Sequence, residues 1–204
     1  KPHGLYYAPL PFLGLSQKDN FNLYGLNASE IIGGKVRFYQ QFVFSAFQIK
    51  AMGMQLGVRL YNLIPNSLLQ FEYNKVGAEL YASENPTMSH THYNLPLAHP
   101  KGQGFDELVI RANASIKRFY GESKTICYWL KNYKEQSLLP MDMNANSLDD
   151  FILHQQVEIG YRINPKINFC FFARGVYRKS NVDENQMLIH FGLSTNLFNS
   201  YNDY

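Results

Sequence analysis

Three of the six histidines, His90, His92 and His99, fall close together in the middle of the chain. On an extended segment His90 and His92 would project to the same side, which is one edge of a metal site. No cysteine or third ligand at a fixed spacing accompanies them, and hydrogen bonding within an ordered loop is the competing account. Glu72 and Glu158 are carboxylates of the kind a glycosidase uses in pairs; both sit on the polar wall among arginines, and ion pairing is the favoured account. Asp149-Asp150 and Asp183-Glu184 offer oxygen ligands to calcium, but without EF-hand spacing they read as solvated loop charge. The chain has no nucleophile elbow, no P-loop and no dinucleotide fingerprint, and Gly102-Gln103-Gly104 is too short to cradle a phosphate. Its two cysteines, Cys127 and Cys170, form no Cys-x-x-Cys pair, so a structural zinc site is not expected. A disulfide between them stays open for an oxidising compartment. These residues predict no catalytic centre, no cofactor and no metal.

The elements that must carry these residues alternate. Val157, Ile159, Tyr161 and Ile163 share one face, opposite Gln156, Glu158, Gly160 and Arg162. Met187, Ile189, Phe191, Leu193 and Leu197 face away from His190, Gly192, Ser194 and Asn196. Leu108, Ile110, Ala112, Ala114 and Ile116 oppose Glu107, Arg111, Asn113, Ser115 and Lys117. Period-two alternation gives a strand one apolar and one polar wall. It predicts about nine strands, at roughly 23–32, 35–49, 54–62, 68–76, 107–118, 123–133, 154–163, 167–179 and 187–198. Residues 1–22, with Pro2, Pro9 and Pro11, read as an irregular entry segment ahead of a strand-bearing region 23–204.

The connections alternate too. Tight turns are expected at Gly33-Gly34, Ile64-Pro65-Asn66-Ser67, Tyr120-Gly121-Glu122 and Asn164-Pro165-Lys166, because Gly, Pro and Asn supply turn geometry. The intervening connections are mostly long, about 77–106, 134–153 and 180–186, the one near 50–53 being short. Short turns at one end and long loops at the other are the habit of bacterial outer-membrane barrels.

Composition fits this reading. Only 17 % of residues are charged, while 15 Tyr and 15 Phe accompany a single Trp, a bias toward strands with much surface out of water. The net charge of +3 and the scattered Lys and Arg give no footprint for nucleic acid. No apolar run reaches the length of a membrane-spanning helix, but barrel strands need only about ten residues and leave no such run. The chain opens Lys1-Pro2-His3-Gly4 without an apolar leader, so any signal peptide is expected to have been removed.

A soluble β-sandwich would alternate in the same way. Two features favour lipid. Tyr24, Phe38, Tyr73, Tyr161 and Tyr177 lie on the apolar wall near strand ends, where interfacial aromatics belong. The polar wall carries Arg37, Arg59, Glu72, Arg111, Lys117, Glu158, Arg162 and Arg174 mid-strand, charges that a wet lumen tolerates and hydrocarbon does not. Nine strands is an odd number, so a closed antiparallel barrel needs more strands than these.

The run His92-Tyr93-Asn94-Leu95-Pro96-Leu97-Ala98-His99-Pro100-Lys101-Gly102-Gln103-Gly104-Phe105 follows Leu69-Gln70-Phe71-Glu72-Tyr73 and Met88-Ser89-His90. It resembles the Wzi-like capsule-assembly proteins of Bacteroidetes, a group that includes the RemB gliding-motility type. Their pattern is H-x-N-x-P-L-A-H-P-x-G-x-x-F after a strand beginning L-Q-x-E-Y. Tyr161-Arg162-Ile163-Asn164-Pro165-Lys166, Gly175-Val176-Tyr177-Arg178-Lys179 and Phe191-Gly192-Leu193 extend the likeness. The resemblance implies that His90, His92, Asn94, Pro96, Leu97, His99, Pro100, Gly102 and Phe105 form a structural loop. It further implies an outer-membrane barrel of about eighteen strands, of which this chain would be the C-terminal half, with a shortened join between Phe47-Gln48-Ile49-Lys50 and Met54-Gln55-Leu56-Gly57. The implied role is non-enzymatic, in holding or assembling surface polysaccharide or in gliding motility. The implied partners are outer-membrane lipid, surface polysaccharide and other outer-membrane or motility proteins. Tyr81, Tyr93 and Tyr133 could stack on sugar rings or anchor loops. A porin or substrate channel, and a soluble β-sandwich that binds carbohydrate, are the rival readings.

Overall fold

A computed structural model describes residues 23–45, 51–78, 80, 91–92, 95–96, 99, 101–130, 150–181 and 183–195. The expected strands are present: β1 (Leu23–Ile32), β2 (Val36–Ser45), β3 (Met52–Tyr61) and β4 (Ser67–Val76), then, beyond two short strands, β7 (Phe105–Ile116), β8 (Phe119–Leu130), β9 (Asp150–Asn164), β10 (Phe169–Ser180) and β11 (Gln186–Ser194). The short strands, β5 (Thr91–His92) and β6 (Leu95–Pro96), pair only with each other within the long connection. Alternation could not foresee them, because two residues carry no period.

The nine long strands form one antiparallel sheet in which each pairs with its neighbours in sequence. The sheet is not closed: it ends at β1 on one side and at β11 on the other. Eight successive antiparallel pairings separate these two edges, so β1 and β11 run in the same direction. Among the described residues no helix is long and apolar enough to cross a membrane.

All the tight turns lie at one end of the sheet. Gly33 and Gly34 both take positive φ, 57° and 67°, and the Lys35 N–H donates to the Ile32 carbonyl at 3.2 Å. Two positive-φ residues make the mirror-image turn that matches strand twist, and only Gly, Asn or Asp adopts it without a steric cost. Between β3 and β4, Asn66 takes φ 59°, the Ile64 N–H donates to Ser67 Oγ and the Ser67 hydroxyl returns a bond to the Ile64 carbonyl. After β9, Asn164 Oδ1 accepts from the Lys166 N–H and Asn168 takes φ 49°.

The turn expected at Tyr120-Gly121-Glu122 falls elsewhere. Lys117 and Arg118 make it, with Lys117 at φ 55°, and Ile116 pairs directly with Phe119. Glycine was misleading here because Gly121 sits in the middle of a paired strand, opposite Ala114 and Ile159. Lys117 therefore belongs to a turn and not to the polar wall. Strand ends also shift: β7 starts at Phe105 and β9 at Asp150, earlier than expected, while β8 ends at Leu130, before the expected 133.

The register sorts side chains into two walls. One carries Phe38, Leu56, Phe71, Ile110, Ile159 and Phe191 with their same-parity neighbours, and it is open: Phe191 is 71 % exposed and Ile159 64 %. Among the described residues nothing covers this wall. The opposite wall carries the charges, yet it contains the most buried residues, Phe105, Ile126, Ile152 and Cys170. Cys127 faces the open wall and Cys170 the polar wall, and both are free thiols. The sheet between them rules out their pairing.

The Gly33-Gly34 turn is testable. Gly34→Val should destabilise the fold by about 1–2 kcal/mol, the cost of a branched residue in the left-handed region, while Gly34→Asn should be close to neutral. Chemical unfolding of the two variants side by side checks this; equal midpoints would mean the turn is built differently.

Candidate functional site

The polar wall is where charge and geometry converge, and glycine positions its main side chains. Tyr39 on β2 lies opposite Gly57 on β3, and a methyl group added at Gly57 would run into the Tyr39 ring. Tyr120 on β8 covers Gly160 on β9, and Phe172 on β10 covers Gly192 on β11. In each case a flat ring fills the space that a missing side chain leaves, which fixes the rotamer of the ring and caps bare backbone. Each ring is then capped by an arginine two residues along a paired strand or its own: Arg59 lies 5.1 Å from the Tyr39 centroid, Arg162 5.2 Å from Tyr120 and Arg174 5.4 Å from Phe172. Cation–π attraction orients these guanidinium groups.

The rings pass their order on through hydrogen bonds. The Tyr39 hydroxyl donates to Glu72 Oε2 at 2.5 Å, and Gln70 Nε2 donates to both. Asn74 Nδ2 bridges from Glu72 Oε1 at 2.9 Å to Glu107 Oε2 at 2.7 Å. On the other side of the wall the Tyr120 hydroxyl donates to Glu158 Oε1 at 3.1 Å, and Arg174 grips Glu158 Oε2 through Nε at 2.7 Å and Nη2 at 2.5 Å. Arg111 holds Glu122 Oε1 through Nε and Nη2 at 3.0 and 2.7 Å.

Glu107 ends the first chain of bonds and anchors the long connection. It is only 4 % exposed, a depth at which a carboxylate needs partners. Asn74 and the Tyr128 hydroxyl donate to it, and His99 Nε2 stands 3.7 Å from Oε1. The His99 Nδ1 accepts from the Lys101 N–H at 3.1 Å, which leaves the ring proton on Nε2, facing Glu107. The imidazole packs on Phe105, centroids 4.5 Å apart, and Phe105 is 1 % exposed. Gly102 and Gly104 turn the chain at φ 75° and 74°, where a side chain would strain the backbone, and the Gly104 N–H donates to the Val76 carbonyl. The His-Pro-x-Gly-x-x-Phe stretch thus folds the end of the loop back onto the sheet.

Seven of the eight residues expected on the polar wall are there: Arg37, Arg59, Glu72, Arg111, Glu158, Arg162 and Arg174; Lys117 is the exception. Of the expected loop residues, His99, Gly102 and Phe105 converge on Glu107. The side chains of His92 and Pro96, and all of His90, Asn94, Leu97 and Pro100, lie outside the described residues, as do Tyr81, Tyr93, Tyr133 and Asp149. Glu72 and Glu158 do not form a catalytic pair. They sit on β4 and β9, three strand steps apart, roughly 14 Å from strand spacing alone. Glycosidase carboxylates stand within about 10 Å. Asp183 pairs with Arg178 at 2.8 Å. The residues that sequence reasoning missed are the rings Tyr39 and Tyr120 and the hub formed by Asn74, Glu107 and Tyr128.

The open wall has its own order. Phe119 packs on Tyr161 at the short-turn end (5.0 Å), and Trp129 on Phe151 at the loop end (5.7 Å). Phe119 and Trp129 belong to one strand, separated by ten residue steps. That is about 33 Å along the chain, or about 25 Å of height at a strand tilt near 40°. Between these belts Thr125, Gln155 and Ser123 bond to one another, so their polar atoms are satisfied locally.

Two substitutions test the site. Gly57→Val should displace the Tyr39 ring and cost about 1–3 kcal/mol by overpacking; a wild-type unfolding midpoint would show that the ring is not seated there. Glu107→Ala leaves the Tyr128 hydroxyl without its acceptor and Asn74 with Glu72 alone, for a loss of about 1–3 kcal/mol. In limited proteolysis the 77–104 connection of that variant should be cut faster, and an unchanged rate would mean the loop is held elsewhere.

Comparison with protein-family models, with curated proteins and with solved structures found no match to this chain.

Proposed function

We propose that this chain is part of an outer-membrane β-barrel whose role is non-enzymatic: holding or assembling polysaccharide at the cell surface, or serving gliding motility. The observation that carries the membrane reading is the uncovered wall. Leu26, Phe38, Phe119, Ile159, Phe191 and Leu193 are each at least half exposed. A soluble monomer rarely leaves so wide an apolar patch in water. The belts of aromatics about 25 Å apart match the height of the apolar band in outer-membrane barrels, and the clustering of tight turns at one end matches their short periplasmic turns.

The edges support membership of a larger barrel. Lipid offers no partner to unpaired backbone N–H and C=O groups, so both edges require strands. Because β1 and β11 run the same way, antiparallel closure takes an odd number of additional strands. The resemblance of the 92–105 run to the Wzi and RemB type suggests the surface role; its described end is tied to the sheet by His99 beside Glu107 and by the Gly104 N–H on the Val76 carbonyl. The charged wall favours a second reading, a channel. Steady conductance in planar bilayers would favour the channel, and a silent barrel the surface role.

The membrane reading separates from a soluble sandwich by one substitution. Ile159→Arg places a charge between the aromatic belts and should reduce stability by about 2–4 kcal/mol in lipid vesicles, measured by urea unfolding. On an exposed face in water the same change would be near neutral. A stable, detergent-free monomer indifferent to Ile159→Arg would end the proposal.

A further inference from the structure

One register level of the polar wall is unusually rich in cations. Following the hydrogen-bonded pairs from β2 to β9, it reads Arg37, Arg59, Gln70, Arg111, Lys124, Gln156. Arg37 stands directly opposite Arg59, and Arg111 directly opposite Lys124. Like charges in facing positions repel, and ion-paired sheets alternate signs instead. Among the described residues only Arg111 has a carboxylate, Glu122. Arg37 reaches Ser29 at 3.3 Å, and Arg59 engages the Tyr39 ring and bonds to Tyr61. The Nε atoms of both are buried and lack an acceptor. Glu72 and Glu158, the acids nearest to this level, are committed to Tyr39, Gln70 and Asn74 and to Tyr120 and Arg174.

We infer that Arg37, Arg59, Arg111 and Lys124 form a track for an acidic oligosaccharide, laid across the strands on the polar wall. Neighbouring strands are about 4.8 Å apart, so the four cations span roughly 19 Å, and a single small anion can meet only two of them. A chain whose carboxylates recur can meet all four and fill the acceptor vacancies at Arg37 and Arg59 with charge-assisted hydrogen bonds. Lipid headgroups are poor candidates, because lipid would contact the opposite wall.

This inference rests on the polysaccharide reading above and names its substrate class. Its test uses the full-length protein, with the strands that close the barrel, refolded in detergent, with heat-modifiable gel mobility recorded first, so that failure of the barrel shows before any ligand is added. Calorimetric titration then compares tetragalacturonate, neutral maltotetraose and inorganic phosphate. Tetragalacturonate should bind at least about tenfold more tightly than either of the others, and raising salt from 0.1 M to 1 M, which shortens screening from about 10 Å to about 3 Å, should weaken it strongly. Arg37→Gln combined with Arg59→Gln should weaken it at least about tenfold. Lys124→Gln, milder for folding, should weaken it severalfold, and Arg118→Gln in the turn should not. Equal affinity for maltotetraose, phosphate binding as tight as the tetramer's, or wild-type affinity in the folded double variant or in Lys124→Gln would each overturn the inference.

Discussion

A strand side chain can point to only two sides, and the hydrogen-bonded ladder forces neighbouring strands to agree on which side is which. That constraint organises the whole molecule. Once the register is set, the seven expected charges from six strands share a wall with Glu107, Glu122 and Lys124, and most of the exposed large apolar residues share the other. A slip of one residue in any pairing would send a strand's charges to the apolar side. The register is therefore where the energy must be concentrated, and the rings over Gly57, Gly160 and Gly192 supply it on the polar wall. A ring fits only where a glycine lies beneath it, so each contact is compatible with one pairing and not with its neighbours.

These joints also connect stability to charge placement. Tyr39 is seated by Gly57, capped by Arg59 and bonded to Glu72; Tyr120 is seated by Gly160, capped by Arg162 and bonded to Glu158. The same three residue types recur in two separate parts of the sheet. Each joint satisfies a carboxylate inside the wall and holds a guanidinium against the ring. Arg111 and Arg174 are paired with Glu122 and Glu158, whereas the Nε atoms of Arg37 and Arg59 find no acceptor among the described residues. At the loop end, Asn74 carries the order onward to Glu107, so the long connection is tied to the same network that fixes the strands.

The open wall obeys a different logic. Of its polar groups, Ser123, Thr125 and Gln155 bond to one another, while Tyr73, Lys75 and Asp106 gather at the loop end. Such a surface is costly in water and comfortable in hydrocarbon, since its backbone is already fully paired within the ladder. The tight turns gather at one end because a meander places alternate connections at the same end, and positive-φ Gly and Asn in three of them, and Lys117 in the fourth, let them stay short.

The amino-acid order by itself determined the strands and their two faces, because period-two alternation is local and needs no partner to be read. Three of the four tight turns were legible for the same reason, through Gly33-Gly34, Pro65-Asn66 and Asn164-Pro165. Gly121 misled because glycine marks a turn and a strand interior alike, and only the pairing of Ile116 with Phe119 tells them apart. The identity of the wall charges was readable, but their companions were not. That Tyr39 meets Gly57 and Glu72, that Arg37 faces Arg59, or that His99 returns to Glu107 depends on register and strand order. These are relations between residues far apart in the chain, and tertiary structure alone could decide them.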